Sequence, residues 1–212
     1  YRESGLSIEE KIKSILKHSV FVKLGNPSES SAKLLYDFRI VNGLPKEVFD
    51  EPKDWEKEVH ERQIEDVIMI DDVTLSGSQA VSYIKKFPSF PCALFLLTFF
   101  ATPTAIEKLH KDAPNIELMF TALLDDRARL FSDESFVFSN VDCLELKADA
   151  YKLCSFYGEK IVNFELPASE DYMKKWPLGF ADGQQMFAFF YNTPDNTLPI
   201  FWCESPHWKA AF

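Results

Sequence analysis

The sequence predicts an α/β protein built on an open, mainly parallel β-sheet flanked by helices. Three observations carry that expectation. Val67-Ile68-Met69-Ile70, Ala93 to Phe99 and Ile116 to Thr121 are strand-length apolar runs, as befits strands covered on both faces. Helical patterns of about ten residues separate them, which is the rhythm of β-α-β units and predicts a parallel, doubly wound sheet. The chain has 212 residues, 46% of them hydrophobic and 26% charged, a globular composition with enough apolar material for a core.

The elements follow in order. Ser7-Ile8-Glu9-Glu10 has the pattern of a capping box, and Ile8, Ile12, Ile15 and Leu16 recur at helical spacing, so a first helix runs to about His18. Ser19 to Leu24 is β-branched and aromatic and reads as a strand. A small-residue loop, Gly25 to Ser31, leads to a helix over Ala32 to Val41 that Asn42-Gly43 stops. The strand at Val67 to Ile70 is followed by Asp71-Asp72, a loop to Ser78 and a helix over Gln79 to Phe87. Thr102-Pro103 is a cap and first-turn pair for the helix Thr104 to Lys111. Beyond residue 123, Phe136-Val137-Phe138 reads as a short strand, Asp142 to Phe156 as a helix stopped by Gly158, Ile161 to Leu166 as extended and Gln185 to Tyr191 as strand-like. No repeat or low-complexity linker divides the chain, so a single domain over 1–212 is expected, with a core at about 19–140 and a C-terminal elaboration at about 141–212.

Charge and composition exclude several function classes. With 23 basic and 33 acidic residues the chain carries a net charge of -10, which is no footprint for a nucleic-acid backbone or an anionic membrane. The longest apolar stretch, Cys92 to Ala101, is too short to span a bilayer. Four cysteines without a C-x-x-C encode neither a zinc knuckle nor a redox pair. The absence of a glycosylation sequon or a visible signal peptide favours a cytoplasmic location. Half of the net charge falls in Leu44 to Asp66, with nine acidic and four basic residues, which reads as a solvated helix or as a loop closing over a site. Aromatic residues reach 15%, including 20 phenylalanines, and many lie near the C-terminus. More aromatic surface than one small core can bury predicts a protein partner or a homo-oligomer.

The chemistry is concentrated in Val67 to Gln79, V-I-M-I-D-D-V-T-L-S-G-S-Q. In an open parallel sheet, ligands bind beyond the carboxyl ends of the strands, and here such an end carries two carboxylates and a Ser-Gly-Ser loop. Adjacent carboxylates suit the two hydroxyls of a ribose or a Mg²⁺ ion, and a loop of small residues ahead of a helix suits a phosphate. One site with both features points to a 5-phosphoribosyl ligand.

This stretch resembles the phosphoribosyl-pyrophosphate (PRPP) motif of the type I phosphoribosyltransferases: four apolar residues, two acids and a Thr-Thr-Gly-x-Thr-type loop. The resemblance implies a phosphoribosyltransferase-like fold and binding of PRPP or a nucleotide with Mg²⁺. It makes Asp71 and Asp72 the catalytic pair that holds the ribose hydroxyls and the metal shell. Thr74, Leu75, Ser76, Gly77, Ser78 and Gln79 become the 5′-phosphate segment, in which Leu75 and Gln79 depart from the family's threonines. Lys23 and Gly25, with the loop to Ser28, would match the pyrophosphate site. Leu44 to Asp66 stands where that family keeps its catalytic loop, with Lys53, Lys57 and Arg62 as its basic residues. The D-D-x-x-x-S-G-x-Q variant and the tail around Trp176 to Gly183 and Asn192 to Trp202 look like a divergent bacterial group, some members of which are associated with anti-phage defence. For this chain the resemblance implies either transfer or cleavage of a ribosyl phosphate group, or a non-catalytic sensor or interaction subunit of a defence complex.

Plainer readings stand beside these. The acids alone would also suit another nucleotide or Mg²⁺ site, or a structural pair capping a helix. Asp125-Asp126 with Arg127 and Arg129 reads as a surface ion-pair cluster, and Thr193-Pro194-Asp195-Asn196 as a type I turn. Asn192 or Trp202 would suit a base pocket. His18, His60, His110 and His207 lack metal spacing, and Phe99-Phe100 and Phe189-Phe190 read as core, with one of each pair able to reach a partner.

Overall fold

The computed structural model describes residues 7–24, 29–49, 51–85, 91–139, 144–166 and 173–211. These form two compact units, 1–123 and 124–212.

The first unit is a four-stranded, wholly parallel sheet in the order β1-β2-β3-β4. Its strands are β1 Ser19–Lys23, β2 Asp66–Thr74, β3 Ala93–Ala101 and β4 Ile116–Leu123. Helices α1 Ile8–Lys17, α2 Glu29–Val41, α3 Trp55–Arg62, α4 Ser78–Ile84 and α5 Pro103–Asp112 accompany it. The expected capping box of α1 is present: Ser7 Oγ accepts from the Glu10 N–H at 3.2 Å and Glu10 accepts from the Ser7 N–H at 2.8 Å. One expectation is corrected. Consecutive strands are neighbours throughout, so the sheet has no reversal of strand order and in that sense is not doubly wound.

Register places Val20, Val67, Leu94 and Ile116 in one row and Val22, Met69, Leu96 and Leu118 in the next. Side chains alternate across a strand, so both rows share one face. That face packs with Val59 of α3, Ala80 and Val81 of α4 and Leu109 of α5 into the main core. On the other face Phe21 meets Phe38 of α2 at 5.5 Å and stacks on Phe49 at 5.0 Å. The acidic stretch is therefore built into the unit: Val48, Val59 and Ile64 are buried although their neighbours are charged. Its described residues are amphipathic and include α3.

In the second unit, α6 Leu144–Lys160 continues as a π-helical turn at Ile161–Glu165, and a short helix, α7, spans Pro199–Trp202. Several sequence expectations fail here. Phe136 to Phe138 forms bends: among the described residues its one ladder-like bond runs from the Phe136 N–H to the Arg127 carbonyl and no strand lies alongside. Ile161 to Glu165 is helical and not extended, since it continues α6 and buries Ile161 and Val162. Gly158 lies inside α6 and does not stop it: the Pro177 carbonyl packs where a side chain would begin. Gln185 to Tyr191 holds only isolated bridges, Gln185 to Thr197 and Phe189 to Asn192. The turn near Pro194 closes one residue late, through Thr197 N–H to Pro194 O at 3.0 Å. Asp125 and Asp126 pair with Arg127 and Arg129 as expected. Phe190, read as core, stands 87% exposed. Among the described residues no helix is long and apolar enough to cross a membrane.

Candidate functional site

Asp71 and Asp72 lie towards the carboxyl end of β2, with Asp71 opposite Thr98 of β3, and the strand continues past them to Thr74 where the sequence suggested a loop. The ladder skips Asp72 between the Asp71–Thr98 and Val73–Phe100 pairs, and from Ile70 onward it is Ile70, Asp72 and Thr74 that are buried. Lys23 pairs with Ile70, the residue before Asp71, at the end of β1. Gly25 and the rest of its loop lie outside the described residues.

The pair is poor in water. Asp72 is buried and Asp71 half-buried. Asp71 accepts from the Asp72 N–H at 3.0 Å, and Asp72 from the Val73 N–H at 2.8 Å. Burial, and secondly the neighbouring Asp72 charge, push the Asp71 carboxyl up to about 8, against the opposing pull of the Asp72 N–H. Two carboxylates so placed resist being ionised together, and a divalent cation or a pair of donating hydroxyls relieves that repulsion.

Beyond Thr74 the chain turns through Leu75-Ser76-Gly77 into α4. Gly77 adopts the left-handed region at φ 66°, and a Cβ there would stand 3.1 Å from the Ala105 carbonyl and 3.3 Å from Leu109, so glycine is required twice over. Thr102 ties the loop to α5. Its N–H donates to the Thr74 carbonyl at 3.1 Å, its hydroxyl donates to the Leu75 carbonyl, and the same hydroxyl accepts from the Ala105 N–H. In a trans peptide the N–H points opposite to the C=O. Anchoring these two carbonyls on Thr102 therefore turns the N–H groups of Leu75 and Ser76 to the opposite side. Ser76 Oγ accepts from the Ser78 N–H at 3.3 Å, and Ser78 and Gln79 are exposed in the first turn of α4. The Thr74 hydroxyl is buried with no hydrogen-bond partner among the described residues.

A cleft of about 270 Å³ opens beside this pair, bordered by Asp71 and by Leu34 and Phe38 of α2, Phe99 of β3 and Met119 and Thr121 of β4.

Thus the structure brings Asp71, Asp72, Thr74 and Leu75 to Gln79 together with Lys23 on the next strand. Of the other basic candidates, Lys57 pairs with Glu61 at 3.7 Å and Arg62 with Glu58 at 3.4 Å, both within α3. Trp202 donates to the Thr197 carbonyl inside the second unit, and the Asn192 backbone closes a turn with Phe189. Sequence reasoning missed Thr98 and the second role of Thr102. Thr102 was legible as a helix cap but not as the anchor of a loop 27 residues earlier. Among the described residues no group of three or more His, Cys, Asp or Glu could hold a metal alone.

A parallel α/β sheet with an acidic pair and a tight Ser-Gly-Ser turn at the carboxyl end of one strand marks the phosphoribosyltransferase-like class of protein. The profile of the PRTase-CE family matches residues 2–212, and the chain belongs to that family. Among solved structures it is similar to the orotate phosphoribosyltransferase from Aeropyrum pernix, at 14% identity and a TM-score of 0.36. That match takes in 53% of this chain and 63% of the other, less than two thirds of its length, and so distant a superposition carries no functional weight. No curated protein matches the sequence.

Proposed function

We propose that the chain binds the ribosyl phosphate part of PRPP or of a nucleotide, together with Mg²⁺, at Asp71 to Gln79, and transfers or cleaves that group as an effector of a bacterial anti-phage system. The observation that carries the binding half is the Gly77 turn: a loop pinned through its carbonyls by Thr102, directly after two adjacent carboxylates. The defence role rests on the sequence resemblance of the motif and tail alone.

The donor set fits Mg²⁺. This ion prefers one or two carboxylates and completes its shell with water and substrate oxygens, and two adjacent carboxylates short of a closed cage are that arrangement. Asp71 and Asp72 would hold it, and it would supply positive charge against the pyrophosphate. The remaining chemistry belongs to the chain. The carboxylates accept from the ribose hydroxyls and fix the sugar, while the Ser76 and Ser78 hydroxyls and the loop N–H groups hold the 5′-phosphate. Lys23, paired with Ile70 just before Asp71, would offer a cation to the departing pyrophosphate. Rate enhancement in such a site comes from positioning and from stabilising charge at the ribose C1.

The test is ³¹P spectroscopy of the chain mixed with PRPP, Mg²⁺ and a set of bases, and separately with nucleoside monophosphates. Free pyrophosphate, or ribose 5-phosphate from a nucleotide, should appear with the native chain and not with Asp71→Asn. No turnover of either substrate class removes the enzymatic half.

A second reading, a sensor or interaction subunit that binds without turnover, is favoured by one observation. The second unit holds Phe136 at 68% and Phe164 at 81% exposure as well as Phe190, large aromatic side chains left in the open. Binding of PRPP without product in the same experiment selects it.

A further inference from the structure

Helix α1 is amphipathic, and its apolar side is left uncovered by the described residues. Ile8, Ile12 and Ile15 follow the i, i+4, i+7 spacing that places side chains on one helix face, and they stand 78%, 50% and 57% exposed. No residue of α1 is buried. Single apolar residues on a surface are ordinary, but three isoleucines aligned on one face form a contiguous patch. Beside them runs a groove of about 1070 Å³, with Ile12 and Leu16 on one wall and Leu44, Pro45 and Val48 on the other. The groove reaches Ser19, the first residue of β1, and so lies at the amino end of the parallel sheet, whereas Asp71 to Gln79 lie towards the carboxyl end.

The charges on α1 select its partner. Glu9 and Glu10 occupy the first turn and Lys17 the last, and Glu9 and Lys13, four residues apart, both border the groove. Neither Glu9 nor Lys13 forms an ion pair among the described residues. We propose that α1 pairs antiparallel with α1 of a second copy of the chain, across a two-fold axis near Ile12. Such an axis brings the same surface of both copies together, so the flank that carries Glu9 and Lys13 meets itself in reverse. Centred on Ile12, the pairing sets Ile12 against Ile12 and Ile8 beside Leu16 of the other copy, and brings Glu9 of each copy within reach of Lys13 of the other. Parallel pairing would align Glu9 with Glu9 and Lys13 with Lys13, which like charges oppose. A helix seated there also takes Leu44 and Pro45 out of water. The 10 residues of α1 make about 15 Å of helix, so the interface is small and the dimer dissociates on dilution.

Sedimentation equilibrium of the full chain over a wide concentration range tests the pairing, with circular dichroism of each variant to show that it is folded. The native chain should dimerise reversibly, and Ile12→Asp, at an exposed position, should raise the dimer Kd at least tenfold. Glu9→Lys and Lys13→Glu should each do the same, because each makes the meeting flanks alike in sign. An equimolar mixture of these two variants should regain a dimer, since each flank then meets its opposite, a result that a merely misfolded helix cannot produce. A native chain that stays monomeric, a dimer that Ile12→Asp leaves unmoved, or a mixture that stays monomeric overturns the proposal. So does a monomeric native chain that sediments with phosphatidylglycerol vesicles and loses them in Ile12→Asp, which would assign the face to a lipid surface.

Discussion

Gly77 lies against the Ala105 carbonyl so closely that a Cβ on it would stand 3.1 Å away, and its φ of 66° is a conformation that side chains resist. The turn that follows the acidic pair is thus set by the helix two elements later. Gly77→Ala combines the left-handed penalty, roughly 1 to 2 kcal/mol, with a contact that must be pushed aside. Denaturant unfolding should show a loss of about that size, and PRPP affinity should fall more than tenfold because the loop N–H groups move.

Thr102 acts on the same turn from the other side. Thr102→Val keeps the shape but removes the hydroxyl that caps α5 and holds the Leu75 carbonyl. Loss of a cap costs about 1 kcal/mol, and an unsatisfied carbonyl adds to it. Thermal unfolding should register the loss, and Thr102→Ser, which restores the hydroxyl, should recover most of both stability and PRPP affinity.

Asp71 gives a pH dependence of definite sign. Its carboxyl titrates near 8 in the folded, ligand-free chain against an ordinary 3.8. Between these values the folded state keeps a proton that the unfolded chain has released. Stability therefore falls as pH rises from about 4 to about 8 and levels off above, by an amount on the order of a few kcal/mol. Carboxyls held below their ordinary range, such as Glu58 and Asp112, act in the opposite sense and only at more acid pH. Asp71→Asn should abolish the fall, so that at pH 8 the variant unfolds at a higher denaturant concentration than the native chain. A variant less stable than the native chain at pH 8 contradicts the burial argument.

Gly158 offers a sign test in the second unit. Within an exposed helix, glycine to alanine gains up to about 1 kcal/mol. Here a Cβ would stand 2.0 Å from the Pro177 carbonyl, a contact only backbone movement can relieve. Gly158→Ala should lower the melting temperature of the chain despite the better helix former, whereas Gly183→Ala is no control because Asn196 crowds it too.

These cases show which parts of the protein were legible in the sequence. The four strands and their helices were, because the apolar runs are punctuated locally: Asn42-Gly43 and Thr102-Pro103 announce their own boundaries, whereas β2 runs through Asp71-Asp72 to Thr74. The acidic pair and the Ser-Gly-Ser loop were legible as adjacent residues. The partners that shape them were not. Thr102 and Ala105 reach the loop from α5, and no periodicity predicts that contact. In the second unit local signals misled more often, since the backbone there is satisfied at long range. Leu130 N–H donates to the Gln184 carbonyl and Leu198 N–H to Gln185, so Gln185 to Tyr191 never needs a ladder partner. Ile161 to Glu165 has strand composition, but the helix already begun at Leu144 continues through it.

The central claim is that Asp71 to Gln79 binds a ribosyl phosphate with Mg²⁺. Calorimetric titration of PRPP into the chain, with Mg²⁺ and with EDTA, tests it most directly, alongside Asp72→Asn. Saturable one-to-one binding that requires Mg²⁺ and weakens at least tenfold in Asp72→Asn is the predicted result. Absence of binding by a folded native chain, or binding indifferent to both Mg²⁺ and Asp72, contradicts it.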